Sequence, residues 1–145
     1  MVAKIHEESV FLVDAEATVD YGRKLAARLE AGALVYLSGE LGAGKTTLVR
    51  GILRGLGYSG SVKSPTYTLL EPYDLPTLAV YHFDFYRIGD SRELEFIGID
   101  ELMDSDAVKL VEWPERGADR IPVADVQISL QVDNEGRRIE VSITR

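Results

Sequence analysis

Cysteine is absent from this 145-residue chain, which excludes disulfides and thiolate metal sites but says little about compartment. A cytoplasmic protein is the default expectation. Long apolar runs are missing too: none approaches the roughly 20 residues that a membrane-spanning helix needs. Basic charge is scarce, with 16 Lys and Arg against 24 Asp and Glu and a formal net charge of −8. Gripping RNA or DNA directly takes a basic stripe, and the long-range field here is repulsive. Any nucleic-acid role therefore draws its positive surface from a partner; the blander alternative is that the acid excess only keeps a small protein soluble. Residues 1–9 are mixed and acidic rather than basic then apolar, so no signal peptide is expected.

What is present points to one soluble globular domain over residues 1–145. Hydrophobic residues make up 46% of the chain, an ordinary share for a packed core. No internal repeat, low-complexity stretch or long linker divides it.

The most informative segment is Gly39 to Thr46, G-E-L-G-A-G-K-T, a complete phosphate-binding loop of the form G-x-x-x-x-G-K-[ST]. Glycines at 39, 42 and 44 permit turns that a Cβ would block, so successive backbone N–H groups can converge on one phosphate. Lys45 offers a mobile point charge for β- and γ-phosphate oxygens, and the Thr46 hydroxyl can ligate Mg²⁺. Such a loop functions between a buried strand and a helix N-terminus. Leu34 to Leu37 is a short apolar strand, and Thr47 to Leu56 carries Leu48, Ile52, Leu53 and Leu56 at helical spacing, closed by Gly57. Gly51 and Gly55 inside that helix point to close helix packing.

Elsewhere, Val10 to Val13 reads as a first strand, followed by a helix that Asp14 caps and that runs to about Glu30, with Gly32 just past its end. Thr66 to Tyr73 and Leu78 to Tyr86 read as strands joined by a hairpin-like connection. Short helices fit Ser91 to Phe96, with Ser91 able to cap, and Asp100 to Met103. Ala107 to Trp113 is another strand, broken by Pro114. Val126 to Val132 and Ile139 to Ile143 alternate as a terminal hairpin around Asp133 to Gly136. Strands interleave with helices early and pair as hairpins late, so the fold class is α/β, a mixed parallel and antiparallel sheet flanked by helices.

Turnover needs acids beyond the loop. Asp84 ends an apolar strand where a metal-shell carboxylate belongs, unless it only faces water. Glu112 ends another, and is a competing or additional Mg²⁺ ligand. Trp113 follows at once, as a cover over the site or as plain core. Ser61 to Thr68 is dense in hydroxyls and carries Pro65, and Thr66 can reach a metal or γ-phosphate, as a nucleotide-dependent switch or as an ordinary loop. Arg87 is an in-chain arginine finger or a surface ion-pair partner. His82 shares a face with Asp84 by alternation, yet a lone histidine in an apolar strand is usually a hydrogen-bonded core residue.

Taken in order, G-E-L-G-A-G-K-T-T, V-K-S-P-T-Y-T-L from Val62, Y-H-F-D-F-Y-R from Tyr81, E-L-E-F-I-G from Glu93 and V-E-W-P from Val111 resemble the TsaE (YjeE) family. Ala17-Thr18 and Gly22 fit its N-terminal A-T-x-x-x-G. Its members are small bacterial P-loop ATPases needed to make N6-threonylcarbamoyladenosine in tRNA. The resemblance implies a P-loop NTPase-like three-layer fold. It places ATP phosphates on Glu40, Leu41, Gly42, Ala43, Gly44, Lys45, Thr46 and Thr47, and Mg²⁺ on Thr46 and Glu112. Asp84 is then the acid needed for hydrolysis, directly on the metal or through water. Ser64 to Thr66 is a first switch and His82 to Arg87 a second; Trp113 lies beside the site, and Ala15 and Arg137 stand near the adenine end. The implied partners are a threonylcarbamoyl transferase (TsaD) and its inactive paralogue (TsaB), on whose complex the ATPase works. Transfer RNA is touched only through that complex, and no membrane is involved.

Two rivals share the loop. A small-molecule kinase needs an acceptor pocket and usually an arginine-bearing lid, and no lid insertion is visible. A nucleotide-gated binding module would bind ATP without turning it over. A GTPase is disfavoured by the lack of an N-K-x-D motif.

Overall fold

The same apolar alternation recurs strand after strand, burying Val35, Leu37, Leu110, Ile128 and Val141 in one core. The computed structural model describes residues 5–144; Met1–Lys4, part of the segment read as no signal peptide, and Arg145 lie outside the described residues. Its strands are β1 (Ile5–Leu12), β2 (Leu34–Ser38), β3 (Leu70–Asp74), β4 (Ala79–Asp84), β5 (Val108–Glu112), β6 (Val126–Asp133) and β7 (Gly136–Thr144). They form one sheet in the order β1-β7-β6-β2-β5-β4-β3. The inner strands β6, β2, β5 and β4 run parallel; β7 pairs antiparallel with β6, β1 antiparallel with β7, and β3 antiparallel with β4. The mixed sheet read from the sequence is therefore the one observed.

Two helices cover one face. Helix α1 (Ala15–Ala26) starts at Asp14, whose Oδ1 accepts the Ala17 N–H at 2.8 Å as expected. It stops before Glu30, because Arg28 and Leu29 donate to Leu25 and Ala26 in tighter turns. Helix α2 (Lys45–Gly55) begins two residues earlier than its apolar pattern. It ends in a Schellman motif, with left-handed Gly57 donating to Arg54 O and Tyr58 to Leu53 O.

These helices meet backbone to backbone. A Cβ on Gly22 would lie 2.6 Å from Leu48 O, and one on Gly51 would press into the carbonyl of Val19. Gly51→Ala should therefore lower stability by about 2 kcal/mol, overpacking outweighing the ~1 kcal/mol helix-propensity gain. Urea unfolding monitored by circular dichroism checks this; an unchanged or raised midpoint would refute the packing role.

The other face is covered by shorter pieces: a 3-10 helix at Ser91–Ile97, α3 (Ile99–Met103) and a 3-10 segment at Pro114–Arg120. They pack Leu94, Ile99, Met103 and Ile121 onto Phe83, Phe85 and Val111.

Several boundaries differ from the pattern reading. The first strand is Ile5–Leu12 rather than Val10 to Val13, because pairing with β7 along its length carries polar His6 to Ser9 into the ladder. Val13 lies beyond it, exposed. The strand expected from Thr66 starts only at Leu70: the Leu69 N–H donates to Pro65 O at 2.7 Å, and Leu69 takes φ +71°. The strand read as Leu78 to Tyr86 is shorter, Ala79–Asp84. Asp90, not Ser91, caps the first 3-10 helix, and Glu93 reaches back to the Asp90 N–H at 2.9 Å. The Pro114–Arg120 segment had no sequence expectation. Among the described residues no helix is long and apolar enough to cross a membrane.

Candidate functional site

Parallel pairing brings three strand ends to one edge. Glu112, last residue of β5, is the register partner of both Leu37 on β2 and Asp84 on β4. The chain leaving β2 enters the glycine loop and then α2, whose first N–H groups have no intrahelical partner. The loop strand, both acids and a helix N-terminus thus converge, the arrangement that an anionic ligand favours. Gly44 holds φ +102° at the turn into α2, and a Cβ on Gly39 would lie 2.6 Å from Leu130 O.

Leu41, Gly42, Gly44, Lys45, Thr46, Thr47, Ser64, Thr66, Asp84, Glu112 and Trp113 line one cleft of about 340 Å³. This set includes all four residues read as catalytic, Lys45, Thr66, Asp84 and Glu112, and all three read as metal ligands. The Glu40 and Ala43 side chains do not line it: Glu40 is exposed and Ala43 is buried. Ala15 and Arg137 line a neighbouring pocket of about 240 Å³, which shares Gly44 and Thr47 with the cleft.

Lys45 is buried, its Nζ donating to Gly39 O and, at 3.2 Å, to Glu40 O. The ammonium also lies 4.7 Å from the centre of a Trp113 ring. Burial holds it below the usual lysine range, while the carboxylates of Glu112, Asp84 and Glu115 pull the other way.

The two acids are wired differently. Asp84 takes the Tyr86 N–H on Oδ1 and the Thr66 hydroxyl on Oδ2, each at 3.0 Å. Thr66 is joined in turn to Ser64 at 2.8 Å, so the hydroxyl segment is tied to the end of β4. Glu112 Oε2 lies 2.6 Å from fully buried His82 Nε2, while its Oε1 has no hydrogen bond among the described residues. His82 is thus the hydrogen-bonded core residue that the blander reading expected, with Glu112 as its partner, and it does not line the cleft. Its Nδ1 is buried without a hydrogen-bond partner among the described residues.

Arg87 does not enter the cleft. It is exposed and stacks on Tyr67, 4.2 Å from the ring centre, and forms no ion pair among the described residues. Trp113, by contrast, lines the cleft and also packs against the core beneath it. It sits at φ +56°, a left-handed conformation that costs a bulky residue on the order of 1–3 kcal/mol. There its ring packs on Tyr86 at 5.0 Å, and Arg116 approaches both rings. Arg116 carried no sequence signal, because it lies on the unforeseen 3-10 segment.

The donor set is all oxygen: the Thr46 hydroxyl and the Asp84 and Glu112 carboxylates. No group of three or more His, Asp or Glu side chains forms a cage among the described residues. That combination fits Mg²⁺, which commonly takes one or two carboxylates beside phosphate oxygens and water.

The family model described as "Threonylcarbamoyl adenosine biosynthesis protein TsaE" matches residues 12–139. The chain belongs to the TsaE family. The Haemophilus influenzae tRNA threonylcarbamoyladenosine biosynthesis protein TsaE is 43% identical over 136 residues, covering 90% of this chain and 86% of that relative. Its Bacillus subtilis counterpart is 36% identical over 132 residues, covering 91% and 82%. The crystal structure of Bacillus subtilis YdiB superposes with a TM-score of 0.80 at 29% identity, covering all of this chain and 89% of the other. As a TsaE family member, the chain carries the loop and both acids within the matched stretch.

Proposed function

We propose that this chain is a Mg²⁺-dependent ATPase acting in the formation of N6-threonylcarbamoyladenosine in tRNA. Membership of the TsaE family supports the tRNA-modification role. The observation that carries the hydrolysis is the cleft itself, where a phosphate loop faces two carboxylates on adjacent parallel strand ends.

The loop amides and Lys45 bind the β- and γ-phosphates. Thr46 and Glu112 would hold Mg²⁺, and Asp84 would offer it a further oxygen, directly or through water. When bound, the ion neutralises charge on the phosphate oxygens. Glu112 keeps its orientation through His82. Asp84 and Thr66 orient a water in line with the γ-phosphorus; its oxygen forms the new P–O bond while the bond to the ADP oxygen breaks, giving ADP and phosphate. Trp113 shields the cleft from bulk water. Ala15 and the neighbouring pocket receive the adenosine end.

The partners are a threonylcarbamoyl transferase and its inactive paralogue, whose complex the ATPase resets between turnovers. A net charge of −8 suits docking on protein rather than on bare tRNA. Phosphate release should be slow for the chain alone and rise when the transferase pair is added. Phosphoryl transfer to a metabolite would replace this reading by a kinase. ATP-dependent docking with no release would leave a nucleotide-gated module.

A further inference from the structure

The terminal hairpin reaches into the phosphate loop. Arg137, the second residue of β7, donates from Nε to Ala43 O at 3.0 Å and from Nη2 to Gly42 O at 3.1 Å. Its remaining terminal nitrogen, Nη1, donates to Gly136 O at 2.8 Å. One planar guanidinium thus grips two successive carbonyls of a loop some 94 residues away in sequence.

Those carbonyls matter because of their sign. A peptide unit is planar and trans, so its C=O and N–H point in opposite directions. Holding Gly42 O and Ala43 O toward the hairpin turns the following N–H groups, on Ala43 and Gly44, away from it. The Ala43 N–H closes the loop's own turn onto Glu40 O at 3.0 Å, and by peptide planarity the Gly44 N–H points opposite to the Ala43 carbonyl that Arg137 holds. The flanking glycines, at φ +81° and +102°, offer little resistance to a peptide flip. A flipped unit would present a carbonyl oxygen to phosphate in place of a donor.

We propose that Arg137 is a positioning residue that holds the phosphate loop with its amides aimed at the nucleotide, and that it acts through the loop rather than on the base. Strand pairing fixes its platform: Arg137 is the register partner of Leu12, and a Cβ on Gly136 would collide with Phe11 and the Leu12 carbonyl. The inference rests on the phosphate-loop reading of residues 39–46.

Mg-tripolyphosphate, which lacks base and ribose, separates this role from a base contact. In calorimetric titrations, Arg137→Met, which keeps the aliphatic stem, and Arg137→Lys, which keeps the charge but loses the fork, should weaken ATP and tripolyphosphate equally, by about tenfold. Amide hydrogen exchange over residues 39–46 without nucleotide should quicken in both variants, with thermal unfolding little changed. Weakened ATP with unchanged tripolyphosphate would overturn the proposal in favour of a base contact. Exchange unchanged in a folded variant would overturn the clamp outright. If the methionine variant fails to fold, the lysine variant carries the test. Wild-type protein that binds neither ligand would refute the phosphate-loop reading instead, while the exchange comparison still judges the clamp.

Discussion

Lys45→Ala is expected to lose about 100-fold or more in ATP affinity, the size of one strong charge-assisted interaction with phosphate. Among the described residues no other lysine or arginine lines the cleft to replace it. The fold should survive, because the ammonium is buried against its own loop carbonyls rather than locked in an ion pair with a distant element. Calorimetry with ATP, in the presence and absence of Mg²⁺, gives the answer directly. Unchanged affinity would mean that the triphosphate binds elsewhere. Lys45→Met is a useful companion, because it keeps the stem beneath Trp113 while deleting the charge.

The second large effect separates the acids. Asp84→Asn should cut phosphate release by about 100-fold, within the range that a positioned acid or base supplies, with ATP affinity nearly intact. The amide still accepts one hydrogen bond, but it no longer carries the charge that faces Thr66 and the attacking water. Glu112→Gln should instead shift the Mg²⁺ dependence to higher concentration, while binding of ATP without Mg²⁺ stays close to wild type. Titrating Mg²⁺ against both variants distinguishes the roles. Identical Mg²⁺ shifts would show that the acids share one job; no shift in either would remove both from the metal.

How far these roles were legible depends on how local each signal is. The phosphate loop was readable because its glycines, lysine and threonine act within eight consecutive residues, with a strand and a helix visible at either side. The acids at 84 and 112 were legible as strand ends. Their different wiring was not, because His82 meets Glu112 diagonally across a register that no local pattern encodes. Thr66 was singled out for its hydroxyl, yet its strand assignment failed. A turn closed by Pro65 and a left-handed Leu69 overrides the β propensity of Thr-Tyr-Thr. Arg137 is the clearest case: a hairpin arginine looks like any solvated one until the sheet carries β7 beside the loop. The segment after Trp113 stayed unread because Pro114 signals only a stop, and packing of Gly117 against Phe85 sets the path of the chain beyond it.

Trp113 is the sole indole in the sequence, and it rests 4.7 Å from the ammonium of Lys45, the lysine that lines the cleft. Its fluorescence is therefore an intrinsic gauge of that cleft. Drawing the Lys45 charge from the ring toward an incoming anion alters the electric field across the chromophore, and so the colour and yield of its emission. Loop occupancy can thus be followed in real time, without a dye or label.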